Sequence, residues 1–281
     1  MTSPLWFTED FEPKKGRRVQ VAYDAVLESR QSSFQKIEVF QTIPYGKMLV
    51  LDGVIMLTEF DHFAYHEMMA HVPLNAHPHP KRVLVIGGGD GGAITEILKH
   101  PGIEEVVLCE IDKDVIEVCK EHFDEFKGAF SDKRLSIIVE DASTYIESIS
   151  DYFDVICVDS SDPIGPAEVL FQKRFYTHLF QALSPEGIAV TQSESMYYHT
   201  DLIRNLVSQN QEIFPVTQYY YTVIPTYPSG TIGFSFCSKK WKPFDQLNSS
   251  RIAQIKNHRY YNEAIHRGSF ALPEFLVGKG L

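Results

Sequence analysis

The segment Val83-Leu-Val-Ile-Gly-Gly-Gly-Asp-Gly-Gly92 constrains this chain more than any other. It reads as a short apolar strand running into a glycine loop and then into a helix. Gly87, Gly89 and Gly92 satisfy a GxGxxG spacing, and Glu110 closes the next apolar stretch about twenty residues on. That layout suits a nucleoside site, because glycines let a ligand approach the backbone and the acidic residue accepts from ribose hydroxyls. A tight structural turn is the alternative, but strand, helix and acidic residue all stand where a nucleoside needs them.

Asp90 bears on the kind of nucleoside. In a dinucleotide site the loop faces a pyrophosphate, and two like charges 4 Å apart cost about 4 kcal/mol at an effective dielectric of 20. The same carboxylate attracts an ammonium or sulfonium group, which favours an adenosylmethionine-type ligand over NAD. A solvated loop aspartate remains the plainer reading of this residue alone.

Around this loop, short apolar segments alternate with helical periods. Val83–Ile86, Val106–Ile111, Leu135–Val139, Val155–Val158 and Ile188–Thr191 read as strands. Helices are expected near 92–99, 112–123, 142–149, 171–183 and 201–213. Near-continuous apolar strands separated by helices indicate an α/β fold, a mostly parallel sheet covered by helices on both faces. Tyr219–Ile224 and Thr231–Cys237 flank Pro228-Ser-Gly230 as a closing antiparallel hairpin. Upstream, 34–40, 47–51 and 54–58 are separated by Pro44-Tyr-Gly46 and Asp52-Gly53, which indicates an antiparallel meander. A helix-like stretch from Asp61 to His71 follows and is expected to stop at Pro73. With His77-Pro-His-Pro80 as the junction, residues 1–75 form a small N-terminal antiparallel β-strand domain. Residues 76–281 form a Rossmann-like nucleoside-binding catalytic domain.

Length and composition agree with a large domain plus a small one. The 281 residues are 44% hydrophobic and 22% charged, ordinary values for a soluble globular protein. No apolar run approaches the ~20 residues of a membrane span, and the first residues lack the layout of a signal peptide. Cys109, Cys119, Cys157 and Cys237 show no CxxC spacing, so buried reduced thiols, no metal site and a cytoplasmic setting are expected. A net charge of −11 argues against nucleic acid as a partner and suits a cationic ligand.

Acidic residues recur where strands end. Glu140-Asp-Ala142 follows one strand and Asp159-Ser-Ser-Asp162 another. Ligands of open α/β sheets bind outside the carboxyl ends of the strands, so Asp90, Glu110, Asp141, Asp159 and Asp162 should converge on one crevice. Any one of them would serve equally as a helix N-cap or turn residue. Five at successive strand ends point instead to a ligand with several positive charges.

The combination of Gly87-Gly-Gly-Asp-Gly-Gly92, Glu110-Ile-Asp112, Glu140-Asp-Ala-Ser143, Asp159-Ser-Ser-Asp-Pro-Ile-Gly-Pro166 and Ile224-Pro-Thr-Tyr-Pro-Ser-Gly230 resembles the signature segments of spermidine synthases, the polyamine aminopropyltransferases. Leu51-Asp-Gly-Val54, Tyr65-His-Glu-Met-Met69, Tyr260-Tyr-Asn262 and Ala271-Leu-Pro273 extend the resemblance from about residue 5 to the C-terminus. It implies a Rossmann-like, methyltransferase-type fold and transfer of the aminopropyl group of decarboxylated S-adenosylmethionine to putrescine. Asp159 would be the general base. Asp90 would hold the amine of the aminopropyl arm, Gln35 and His66 would line the donor, and Glu110 would bind ribose. Asp141 and Ala142 would border adenine with Pro166 nearby. Tyr65, Ser160, Ser161, Asp162 and Tyr227 would line the putrescine site together with Asp159. Met56, where some members carry glutamine, and Ala142, where others carry glycine, depart from the pattern. A homodimer or homotetramer is implied, with no cofactor beyond the co-substrate.

The chemistry is consistent with that residue set. The sulfonium is already a good leaving group, whereas an alkylammonium with a pKa near 10.4 must lose a proton before it can attack. Four other readings stay open, one of them spermine formation from spermidine. A putrescine N-methyltransferase would use ordinary S-adenosylmethionine on the same scaffold, an NAD-dependent oxidoreductase would explain the glycine motif alone, and a polyamine-binding module would bind without turnover.

Overall fold

The computed structural model describes residues 4–12, 16–161 and 165–278. The first five strands are β1 (Leu5–Glu12), β2 (Arg17–Gln31), β3 (Lys36–Thr42), β4 (Lys47–Leu51) and β5 (Val54–Thr58), each paired antiparallel to the next. Between β4 and β5, Asp52 and Gly53 have φ of 48° and 83°, the doubly positive pair of a type I′ hairpin turn. Strands β1 and β2 were not anticipated. Strand β2 does alternate apolar residues (Val19, Val21, Tyr23, Ala25, Leu27), although over its 15 residues it buries only Val21.

Helix α1 (His62–Ala76) connects the small sheet to a larger one and buries every residue except Phe63. It does not stop at Pro73, as the sequence suggested, but runs on to Ala76. Proline removes the N–H that would bond to the Met69 carbonyl. The thiol of Cys157 donates to that carbonyl instead, at 3.6 Å, and the N–H of His77 closes the last turn on the Pro73 carbonyl at 3.0 Å. Although α1 lies almost wholly within residues 1–75, it packs against the large sheet. Glu67, fully buried on this helix, accepts the backbone N–H groups of Arg259, Tyr260 and Tyr261 at 2.6, 2.8 and 2.7 Å.

The large sheet contains β6 (Arg82–Gly87), β7 (Glu105–Cys109), β8 (Leu135–Ile138), β9 (Phe153–Asp159), β10 (Leu183–Gln192), β11 (Val216–Val223) and β12 (Thr231–Ser238). Its order is β11-β12-β10-β9-β6-β7-β8, parallel from β10 to β8 and closed at the other edge by the antiparallel β11–β12 hairpin. The connecting helices are α2 (Gly92–Leu98), α3 (Lys113–His122), α4 (Lys127–Phe130), α5 (Ala142–Glu147), α6 (Lys173–Ala182) and α7 (Thr200–Gln211). Short helices α8 (Ser249–Ile252), α9 (Glu263–Gly268) and α10 (Glu274–Val277) follow.

Alternate strand residues feed two cores. Val83, Val85, Leu108, Val155 and Cys157 meet α1 and α2 on one face, while Leu84, Ile86, Val107, Ile156 and Val158 meet α5 and α6 on the other. A third cluster packs Ile37, Val39, Leu49 and Leu57 of the small sheet against Val115, Val118 and Cys119 of α3. This is the α/β architecture expected from the strand pattern. The sheet order reverses at β6, whose successor β7 lies on one side and β9 on the other, so a crevice opens at the carboxyl ends of β6 and β9.

Candidate active site

The switch point brings two sequence-distant segments into contact. Gly87 pairs in register with Asp159, and the N–H of Gly88 donates to the Asp159 carbonyl at 3.0 Å. A Cβ on Gly87 would stand 2.2 Å from that carbonyl oxygen, and its φ of +72° is itself a glycine conformation. Further along the loop, a Cβ on Gly92 would lie 2.1 Å from the His66 ring. The loop thus packs directly on α1, and only glycine fits at either place.

Above the loop is a cleft of about 370 Å³. Gln35, Tyr65, His66, Asp90, Glu110, Asp141, Ala142, Asp159, Ser160, Ser161 and Tyr227 all line it. Asp162 lies outside the described residues, as does the side chain of Pro166. The segments expected to converge do so wherever they are described.

Asp159 Oδ1 accepts a hydrogen bond from the Tyr65 hydroxyl at 2.7 Å, while its buried Oδ2 has no hydrogen-bond partner among the described residues. Burial and the nearby negative charge of Asp90 raise the Asp159 carboxyl to about 6, against the opposing pull of His66 and the Tyr65 hydrogen bond. The same burial, with Asp159 beside it, pushes the Tyr65 hydroxyl well above its ordinary range, so the phenol keeps its proton at neutral pH. Asp90 Oδ1 accepts the Gly92 N–H at 2.6 Å and lies 3.4 Å from His66 Nε2. Burial opposes charge on both partners, but their mutual attraction outweighs it. His66 is raised to about 9 and Asp90 is held below its usual range.

Glu110 directly follows β7, with Oε1 accepting the Asp112 N–H at 2.8 Å and Oε2 accepting the Gly89 N–H at 3.2 Å. Burial raises its carboxyl to about 7, with the two N–H groups working against it. Gln35 reaches the cleft from the small sheet, and its amide donates to Asp112 Oδ2 at 3.0 Å beside the Ser32 hydroxyl at 2.6 Å. Asp112 in turn caps α3 by accepting the Asp114 N–H. Asp141 is an exposed N-cap that accepts the N–H and hydroxyl of Ser143 at 2.8 Å each. Tyr227 spans the two sheets, donating to the Met56 carbonyl at 2.7 Å.

Several wall residues have no sequence signal. Glu9 comes from β1, is 3% exposed and accepts the Ile55 N–H at 3.0 Å. Gln192 at the end of β10 keeps a buried Oε1 without a hydrogen-bond partner among the described residues. His199 lies 2.9 Å from Glu194, whose φ is +66°. The carboxyl-end rule covers the end of β10 as well, where Glu194 stands two residues past Gln192, much as Asp90 and Asp141 stand three past β6 and β8.

The arrangement suits proton abstraction next to bound cations. It combines the Asp159 carboxylate, raised to about 6 and with one oxygen unpartnered among the described residues, a second carboxylate on the glycine loop, and Glu110 one strand away.

A family model described as the spermine/spermidine synthase domain matches residues 62–248, and one described as the spermidine synthase tetramerisation domain matches residues 5–59. The chain is 48% identical over 271 residues to a polyamine aminopropyltransferase of Leptospira biflexa, covering 96% of each. It is 43% identical over 277 residues to a spermidine synthase of Dictyostelium discoideum, covering 98% of this chain and 96% of that one. Among solved structures, a spermidine synthase in complex with the transition-state analogue AdoDATO superposes with a TM-score of 0.95 at 36% identity, covering 99% of this chain and 97% of the other. The spermidine synthase of Thermotoga maritima gives 0.93 at 35% identity, covering 99% and 96%.

Proposed function

The chain belongs to the spermine/spermidine synthase family, and from that premise we propose that it transfers the aminopropyl group of decarboxylated S-adenosylmethionine to putrescine, giving spermidine and methylthioadenosine. The observation that carries the reading is the pair of half-buried carboxylates, Asp90 and Asp159, facing one cleft from the ends of adjacent strands. Both substrates bring ammonium groups, and the donor adds a sulfonium.

In this reading Asp159 Oδ2 takes the proton from the attacking amine. Its lone pair then attacks the carbon beside sulfur, the C–S bond breaks, and the electrons leave on methylthioadenosine. Tyr65 orients the base through Oδ1 and keeps its own proton. Asp90 holds the donor's ammonium, Glu110 accepts from ribose, and Gln35, His66, Asp141, Ala142 and Pro166 border the nucleoside. Ser160, Ser161, Asp162 and Tyr227 seat putrescine. Closure of the cleft by two sheets supports orientation as a further source of rate.

We further propose a homo-oligomer, dimer or tetramer, supported by the family model that matches the small sheet. No helix among the described residues is long and apolar enough to cross a membrane. All four cysteines are buried as free thiols, which supports a cytoplasmic setting. The test of function is incubation with putrescine and each sulfonium donor, followed by mass analysis. Spermidine with methylthioadenosine is expected. N-methylputrescine with S-adenosylhomocysteine would replace the reading with methyl transfer.

A further inference from the structure

A buried histidine pair stands behind the glycine loop. His62 and His66 lie one turn apart on α1, are 6% and 3% exposed, and approach Nδ1 to Nδ1 at 3.2 Å. Each outer nitrogen faces a carboxylate. His66 Nε2 is 3.4 Å from Asp90 Oδ1, and His62 Nε2 is 3.1 Å from Glu125 Oε1. Phe126 presents itself edge-on to both rings, at centroid distances of 5.1 and 5.9 Å.

Proton counting limits what this row can hold. The inner N···N contact accommodates one proton, since two would set N–H groups head to head and none would oppose two lone pairs. A proton placed on each Nε2 stands against a carboxylate, although His62 Nε2 makes no hydrogen bond among the described residues. Three protons on four nitrogens give the pair a single positive charge, and only the inner proton decides which ring bears it. Other charges face the row from every side: Asp159 at the end of β9, Glu96 on α2, and Arg259 acting on Glu125. Burial opposes charge on Glu125, but His62 outweighs it and holds the carboxyl below its ordinary range. The Asp90 end opens on the cleft, whereas the Glu125 side chain is 40% exposed.

We propose that His62 and Glu125 form a sink for positive charge during donor binding: as the donor's ammonium takes Asp90, the shared proton passes from Nδ1 of His66 to Nδ1 of His62. One N–H bond breaks as the other forms, and no proton enters or leaves the protein. Both rings line the cleft, but the charge moves from the ring beside Asp90 to the ring beside Glu125, so the incoming cation does not share its carboxylate with an imidazolium. The inference rests on the reading of Asp90 as the donor's ammonium site.

Nitrogen NMR of the imidazoles in the whole protein tests it, because a doubly protonated ring differs from a neutral one. Without ligand, and with methylthioadenosine, which carries no ammonium, His66 should be the charged ring. With decarboxylated S-adenosylmethionine the charged pattern should move to His62. Calorimetry in two buffers of different ionisation enthalpy should show no net proton release on donor binding. Glu125→Gln should release close to one proton and bind the donor about tenfold more weakly. The same ring charged in all three states, a full proton released by the unmodified protein, or no release by Glu125→Gln would overturn the proposal. Asp90→Asn separates the two readings. If that variant binds the donor normally, the Asp90 assignment fails. If it weakens the donor while the charged pattern never moves, only the charge sink fails.

Discussion

At Asp159 one carboxylate oxygen is held by Tyr65 and the other has no hydrogen-bond partner among the described residues, which is what the proposed base requires. Replacing Asp159 by Asn keeps the shape but removes the basic lone pair, and should slow the chemical step by about 10²–10⁴-fold with a smaller change in donor affinity. Single-turnover rates read this directly, and near-equal rates at pH 7 would reject the assignment. Because the carboxyl is raised to about 6, kcat/KM of the unmodified enzyme should fall below that pH about tenfold per unit, and the limb should vanish in the Asn variant. Asp90→Asn should weaken the donor by about 1–3 kcal/mol, as removal of a charged hydrogen-bonding partner does. Calorimetric titration with an unchanged Kd would sink that role. Asp90, Glu110, Asp141 and Asp159 were legible because carboxylates at the ends of parallel strands converge by topology alone. Gln35 and Tyr227 carry no such mark; only the family resemblance pointed to them. Glu9 stayed hidden because its strand did.

Among the elements, α1 shows how tertiary contacts revise a local rule. Pro73 is a stop signal in the sequence, yet the Cys157 thiol meets the carbonyl that proline orphans and the helix continues. That thiol comes from β9, 84 residues beyond Pro73 (157 − 73), so no local pattern reveals it. The strands of the large sheet were legible for the opposite reason, being buried on both faces and so apolar throughout. On the same helix Glu67 gathers three N–H groups of the C-terminal segment. Glu67→Gln turns an amide N–H₂ toward donors that need an acceptor, and should destabilise the fold by about 1.5–3 kcal/mol. Urea unfolding measures it, and an unchanged midpoint would show that the clamp contributes nothing.

For the molecule as a whole, buried ionisable groups set a pH optimum of stability. His66 is raised to about 9 in the folded state. Its contribution is therefore complete below the unfolded value near 6.5 and is lost as pH rises through 9. Ligand-free protein should lose about 1–3 kcal/mol between pH 7 and 9.5 from this group, lowering Tm by several degrees. His66→Asn should flatten that limb, and an equally steep limb in the variant would assign the loss elsewhere. His77 and His266, each lowered to about 4 by burial, act oppositely. They stay neutral in the fold, so their share of stability drains away as pH falls from 6.5 towards 4.

One wall of the cleft belongs to the small sheet. Leu49, Leu51, Val54, Ile55 and Met56 come from it, while the carboxylates come from the large one. A crossover near residue 60 would therefore splice a new wall onto the same chemistry. Chimeras that take their first 60 or so residues from a relative with a different amine preference should inherit part of that preference while keeping this chain's base. Selection on amine length can then act on one sheet while the other is left untouched.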